Sequence, residues 1–276
     1  MRFILDDVFE SGITERIKSM PIVHFKGKVL PYEPTAYHVT VKDLPQVTWH
    51  DTYTGQDLKI TTRINESIID IEFDVEKFDV KDTSSLLMRA WDLARAAVDL
   101  YSFKVGWGLS VVIDTLVQPD GSTNTIMPKM ETLATYSTAI ADDPTVNNFD
   151  ICYRLLLAEP ALFMALNDLI VSITLPHHAS VNCARVIEGL RKLIAPGVER
   201  SKAWPILRTN LNIEQAYLTY VTDVSTAPRH GDRAHIPGPT VIDATTRTWK
   251  VMNRFLEFRK RGNQPLPIAE FPVLTN

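Results

Sequence analysis

The period of the hydrophobic pattern changes once along this chain, and that change restricts the fold more than any single motif. In the first eighty residues apolar side chains alternate with polar ones, the two-residue period of a half-buried strand. Residues 36–41 and 58–62 read this way, and Ile68-Ile69-Asp70-Ile71-Glu72-Phe73 does so most clearly. β-branched and aromatic side chains dominate these runs, as a pleated surface favours. Residues 51–55, Asp-Thr-Tyr-Thr-Gly, lie between two of them and suit a hairpin turn. The expectation is a small antiparallel sheet with one wet face. A helix follows, with Asp82 as N-cap and Leu86, Leu87, Ala90, Leu93, Ala94, Ala97, Val98 and Tyr101 at helical spacing. Gly106 and Gly108 stop it, residues 109–117 return to strand character, and Pro119-Asp120-Gly121-Ser122 is a turn. Residues 129–140 take no clear element.

From about Asn147 the period is helical. Residues 151–158 and 161–175 are apolar and separated by Pro160, which suits the first turn of a new helix. Residues 179–194, 201–211, 213–224 and 245–260 continue the series, with Pro205 limiting the second of these. Residues 225–239 read as a loop, and 264–276, with three prolines, as an extended tail. The fold class expected is α+β: a β-rich domain over 1–142, an all-helical bundle over 147–262 and a tail over 263–276.

Of 276 residues, 45% are hydrophobic and 22% charged, ordinary values for a globular domain. The longest apolar stretch, 161–175, is short for a membrane span and is interrupted by Asn167, Asp168 and Ser172. No secretory leader is read at the N-terminus, and no membrane association is expected. Two cysteines, Cys152 and Cys183, make neither a disulfide framework nor a Cys-rich zinc site, so a cytoplasmic setting is expected. Gly106-Trp107-Gly108 is not a phosphate-cradling loop, and no cofactor is expected.

Net charge is −4, but it is unevenly placed. Residues 177–262 hold fourteen basic and seven acidic side chains, hence +7, against −11 for the remainder. A basic helical half suits a polyanionic ligand. It is equally consistent with solvated basic faces, or with two halves that attract each other.

The basic segment contains Arg229-His230-Gly231-Asp232-Arg233-Ala234-His235. Histidine moves protons near neutral pH, and arginine holds phosphate oxygens and offsets charge developing at phosphorus. An arginine followed by Asn, Asp or His, with a histidine after a short gap, resembles the signature of the HEPN superfamily. The resemblance covers roughly residues 147–262. It implies a HEPN-like helical bundle and a metal-independent endoribonuclease of toxin or phage-defence type. Arg229 and His235 would be the catalytic pair, His230 their polar partner and Glu188 a supporting residue. Arg233, Arg185 and Arg191 would contact RNA. A homodimer would form one composite cleft, and an antitoxin or defence-system partner is implied. The alternative is a non-catalytic HEPN-like protein that binds nucleotide, RNA or an acidic protein.

Residue by residue, structural roles stand beside these. Arg229 and His235 can hold the loop by bonding helix C-terminal carbonyls. Glu188 can pair with Arg185 or Arg191 along its own helix. His177 and His178 follow Pro176 at a helix entry, where capping or solvation suits them better than metal ligation. Cys183 lies on an apolar helix face and reads as buried and inert.

Overall fold

The computed structural model describes residues 20–32, 38–52, 54–231 and 236–276. The chain divides into two compact units, 1–127 and 128–276. Each has its own hydrophobic core. The fold is α+β, with an antiparallel sheet in the first unit and helices in the second.

In the first unit, β1 (Ile22–Leu30), β2 (Val47–Asp51), β3 (Gln56–Asn65), β4 (Ile68–Asp74), β5 (Ser110–Val117) and β6 (Thr123–Thr125) form one sheet in the order β2-β3-β4-β1-β5-β6. Period-two alternation decides its faces. Val23, Phe25, Val29, Ile60, Ile64, Ile69, Ile71, Phe73 and Ile113 are buried on one face. That face belongs to the same core as Leu86, Ala90, Ala94 and Val98 of α1 (Thr83–Val105). The other face carries polar and charged side chains paired across strands. His24 meets Asp70 at 2.9 Å, and Arg63 meets Glu72 at 2.9 Å.

The strands differ from the sequence reading at residues 36–41 and at β1, β2 and β6, which the sequence reading does not assign. Residues 38–41 contribute only an isolated bridge, Val41 to Ile64, and 36–37 lie outside the described residues. The central strand β1 carries buried Val23, Phe25 and Val29. Its alternation passes through Gly27, which weakens the strand pattern. The glycine is required by packing. A Cβ built on Gly27 would lie 2.0 Å from the carbonyl oxygen of Val112, where the β1–β5 register shifts.

In the second unit, short 3₁₀ turns over Glu131–Tyr136 and Thr138–Ile140 fill the stretch that takes no clear element in the sequence. The helices are α2 (Asn148–Ala158), α3 (Pro160–Thr174), α4 (Pro176–Ile194), α5 (Arg200–Leu211), α6 (Gln215–Val224), α7 (Thr226–Arg229) and α8 (Gly238–Lys260). Pro160 and Pro176 open α3 and α4, where their missing N–H costs no hydrogen bond. The amphipathic α4 lies at the centre, packed against α3, α5, α6 and α8. Val186, Ile187 and Leu190 of α4 share a core with Leu207 and Leu211 of α5, Leu218 and Val221 of α6, and Val251 and Phe255 of α8.

The region read as a loop over 225–239 is partly helical. Thr226–Arg229 forms one turn, and α8 begins at Gly238 with Pro239 at its start. Pro205 lies inside α5 rather than limiting it. The C-terminal segment is irregular but attached. The N–H of Glu214 donates to the carbonyl of Leu274 at 3.0 Å, and that of Leu274 to Asn212 at 2.9 Å. Among the described residues no single helix is long and apolar enough to cross a membrane.

Candidate functional site

α5 and α6 form the two walls of a cleft of about 320 Å³ in the second unit. The α5 wall presents Arg200, Trp204 and Arg208, four residues apart and therefore on one helix face. The α6 wall presents Gln215, Leu218, Thr219 and Thr222. Among the described residues no acidic side chain lines the cleft.

The turn between the walls is held firmly. Asn212 ends α5 in the left-handed region at φ 52°. Its side-chain amide donates to the carbonyls of Leu266 at 2.8 Å and Phe271 at 3.0 Å. The buried Arg254 guanidinium donates to the carbonyls of Leu211 at 2.8 Å and Asn212 at 2.6 Å. Burial lowers the Arg254 pKa from its ordinary value, without a carboxylate among the causes. Its positive charge is instead solvated by carbonyl dipoles at the C-terminus of α5, the negative end of that helix. Cleft geometry is thereby set before any ligand arrives.

Within the cleft, Arg208 donates through Nη1 to Oε1 of Gln215 at 2.7 Å. Its Nε is buried and has no hydrogen-bond partner among the described residues. The rest of the Arg208 guanidinium lines the cleft, where charge-assisted hydrogen bonds to an anion are open to it. Arg200 donates to Oε1 of Glu188 at 2.5 Å, and its side chain stays largely exposed. Trp204 is partly buried, with the Arg191 guanidinium 5.4 Å from its ring centroid.

Of the residues singled out in the sequence, some stand next to this cleft and others do not. Glu188, on α4, accepts from Arg191 Nε at 3.1 Å and from Arg200. It therefore holds two arginines, one of them buried, next to the α5 wall. Arg185 pairs with Asp168 of α3 at 3.1 Å. Arg229 ends α7 and donates to the carbonyls of Ser225 at 3.3 Å and Thr222 at 3.4 Å. That is the helix-terminal carbonyl role open to it from the sequence. Because Thr222 also lines the cleft, Arg229 is one residue removed from it. His230 is exposed, and its backbone N–H closes α7 onto Thr226 and Ala227. Asp232, Arg233 and His235 lie outside the described residues.

Arg200, Trp204, Arg208, Gln215 and Thr219 were not among the candidates read from the sequence. The signal available for them is the Arg-x₃-Trp-x₃-Arg spacing on a helix. Cys183 is fully buried, with its thiol 3.7 Å from the hydroxyls of Ser172 and Thr245, and burial pushes its pKa up.

A sheet-bearing unit followed by a helical unit with a basic interhelical cleft is the class of protein this chain represents. Residues 23–127 match the N-terminal domain, and residues 150–260 the C-terminal domain, of a family described as a domain of unknown function (DUF8168). The two domain models match in order and together cover most of the chain, which belongs to the DUF8168 family. No curated protein and no solved structure matches it.

Proposed function

We propose that the helical unit binds RNA or a free nucleotide through the α5–α6 cleft. One observation carries this reading: Arg200, Trp204 and Arg208 stand on one face of α5 and together line the cleft. Eight residues of helix separate the two arginines by about 12 Å, which leaves room for a base between two phosphate contacts. Arginine suits phosphate through charge-assisted, forked hydrogen bonds. A tryptophan face accepts any base by stacking, and the Gln215 amide with the Thr219 and Thr222 hydroxyls supplies donors and acceptors for polar edges. The volume lies at the low end of small-ligand pockets, which suits a single nucleotide unit.

RNA cleavage is the second reading. It is favoured by the position of Arg229 beside Thr222, and by the resemblance of residues 229–235 to the HEPN signature. In that chemistry His235 would move the proton of the 2′-hydroxyl or of the leaving oxygen. Arg229 would offset charge on the phosphorane, leaving a 2′,3′-cyclic phosphate. Arg229 would have to release its carbonyl partners to do so.

One experiment separates the readings. Fluorescence anisotropy with a labelled single-stranded RNA, and competition by nucleoside monophosphates, are measured in EDTA. Arg200→Ala and Arg208→Ala should each weaken binding about tenfold to a hundredfold, the effect of losing one charge-assisted bond. Each should also reduce the slope of log affinity against log salt by about one. Unchanged affinity in both variants sinks the cleft as the site. Intact RNA after prolonged incubation rejects cleavage. Scission that is lost in His235→Ala, with an unchanged melting temperature, supports it.

A further inference from the structure

α2 and α3 leave a face of large apolar side chains uncovered. On α2, Phe149, Tyr153 and Leu157 recur every four residues, so they form one stripe, and they are 68%, 51% and 66% exposed. On α3, Phe163, Met164 and Ile170 are exposed as well. The opposite sides of both helices are also apolar: Cys152, Leu162, Ala165 and Leu169 lie in the core, with Leu155, Leu156 and Leu166 packed against it. Despite polar side chains such as Asp150 and Arg154 on α2 and Asn167 and Asp168 on α3, both helices carry apolar side chains on exposed and buried sides alike, and helices that apolar are normally more fully buried. The only charged side chain within α3 is Asp168, which Arg185 neutralises. Six large exposed apolar side chains on two neighbouring helices are more than scattered surface residues, and such patches mark interaction sites.

We propose that this face is the contact surface between two copies of the chain, paired through α2 about a two-fold axis. Two observations favour a second copy. The stripe is self-complementary: an antiparallel pairing centred on Tyr153 sets Phe149 of one copy against Leu157 of the other. The rim is also self-complementary. Asp150 and Arg154 form an ion pair at 2.8 Å within α2 and both remain partly exposed, so the same two-fold brings each within side-chain reach of its opposite in the other copy. A lipid surface is a poorer occupant. An interfacial helix needs basic residues along its polar edge, and α3 has none, while Arg154 is already matched by Asp150.

The test is sedimentation equilibrium of the full chain over a range of micromolar concentrations, with and without vesicles of neutral and anionic phospholipid. Wild type should show twice the chain mass. The double substitution Phe149→Asp/Leu157→Asp should reduce it to the chain mass while the variant keeps the helical circular-dichroism spectrum and a cooperative melt, because both side chains are solvent-exposed within one copy. Its melting temperature should fall only by what association contributes and should not depend on concentration. Asp150→Arg should weaken the dimer at least fivefold, and Asp150→Arg/Arg154→Asp should restore it. A monomeric wild type at all concentrations overturns the proposal. So does a double variant that stays dimeric, or a wild type that cosediments with vesicles as a monomer. None of these outcomes depends on RNA, so the proposal stands or falls independently of the cleft reading.

Discussion

Tyr217 on α6 carries a buried hydroxyl with no hydrogen-bond partner among the described residues. The Arg247 guanidinium lies 4.9 Å from its ring centroid, and burial pushes the phenol pKa up to about 12. The unfolded phenol ionises near pH 10. Because the folded value is the higher one, its contribution to stability is full below pH 10 and disappears as pH rises towards 12. The two-unit difference corresponds to about 2–3 kcal/mol over that interval. Tyr217→Phe should therefore raise stability by about 1 kcal/mol at neutral pH, since it removes an unmatched polar group. It should also remove the part of the alkaline destabilisation that Tyr217 contributes. Urea unfolding of both proteins at pH 8, 10 and 11 checks both effects. A variant less stable than wild type at pH 8 would mean that the hydroxyl is bonded after all. Other single residues were legible in part. The Glu188 pairing with Arg191 follows from helical spacing, but its second partner Arg200 lies on another helix, and spacing along one helix says nothing about a neighbour's reach.

Among the elements, strands with unbroken alternation were easier to read than those containing small or strained residues. The Ile68–Asp74 strand was legible because its alternation is uninterrupted. β1 was not, because Gly27 stands where a buried side chain would complete the pattern. The β3–β4 turn was hidden for a related reason. Glu66 and Ser67 take φ of 49° and 63°, a conformation usually announced by Asn-Gly. Three hydrogen bonds offset that strain: Ser67 accepts from Val39 N–H at 3.0 Å through its hydroxyl and from Val29 N–H through its carbonyl, and it donates its own N–H to Val39. For β1 the decisive test is Gly27→Ala. The added methyl meets backbone of β5, which cannot turn aside as a side chain would, so the substitution should cost about 3 kcal/mol or unfold the sheet. A chemical-denaturation midpoint within error of wild type would show that the strand can slip to accommodate it. The sequence predicts α5 and α6 as helices but not their cleft, since the cleft depends on the Asn212 turn and on contacts from Leu266, Phe271 and Arg254.

For the whole molecule, the charge split takes on a different meaning once the chain is folded. Residues 128–276 carry sixteen basic and fourteen acidic side chains, so the helical unit as a whole is only +2. Several basic residues of the 177–262 segment are matched within the unit: Arg185 by Asp168, Arg247 by Asp243, Arg259 by Glu159 and Arg261 by Glu270. Segment charge therefore overstated the attraction for a polyanion, and the distribution of partners is the better guide. It leaves Arg208 facing the cleft with a neutral partner and an unmatched N–H. On the proposed reading, recognition lies wholly inside the second unit. That unit also holds its own core, built from Leu162, Ile187, Leu207, Val221 and Phe255, in a length ample for independent folding. A fragment of residues 128–276 should then give a helical circular-dichroism spectrum and one cooperative melt. It should bind the labelled RNA within about threefold of the full chain, since less than 1 kcal/mol would separate them. Loss of binding in a fragment that melts cooperatively would mean that the first unit supplies part of the recognition surface, and the cleft would no longer be a sufficient account of it.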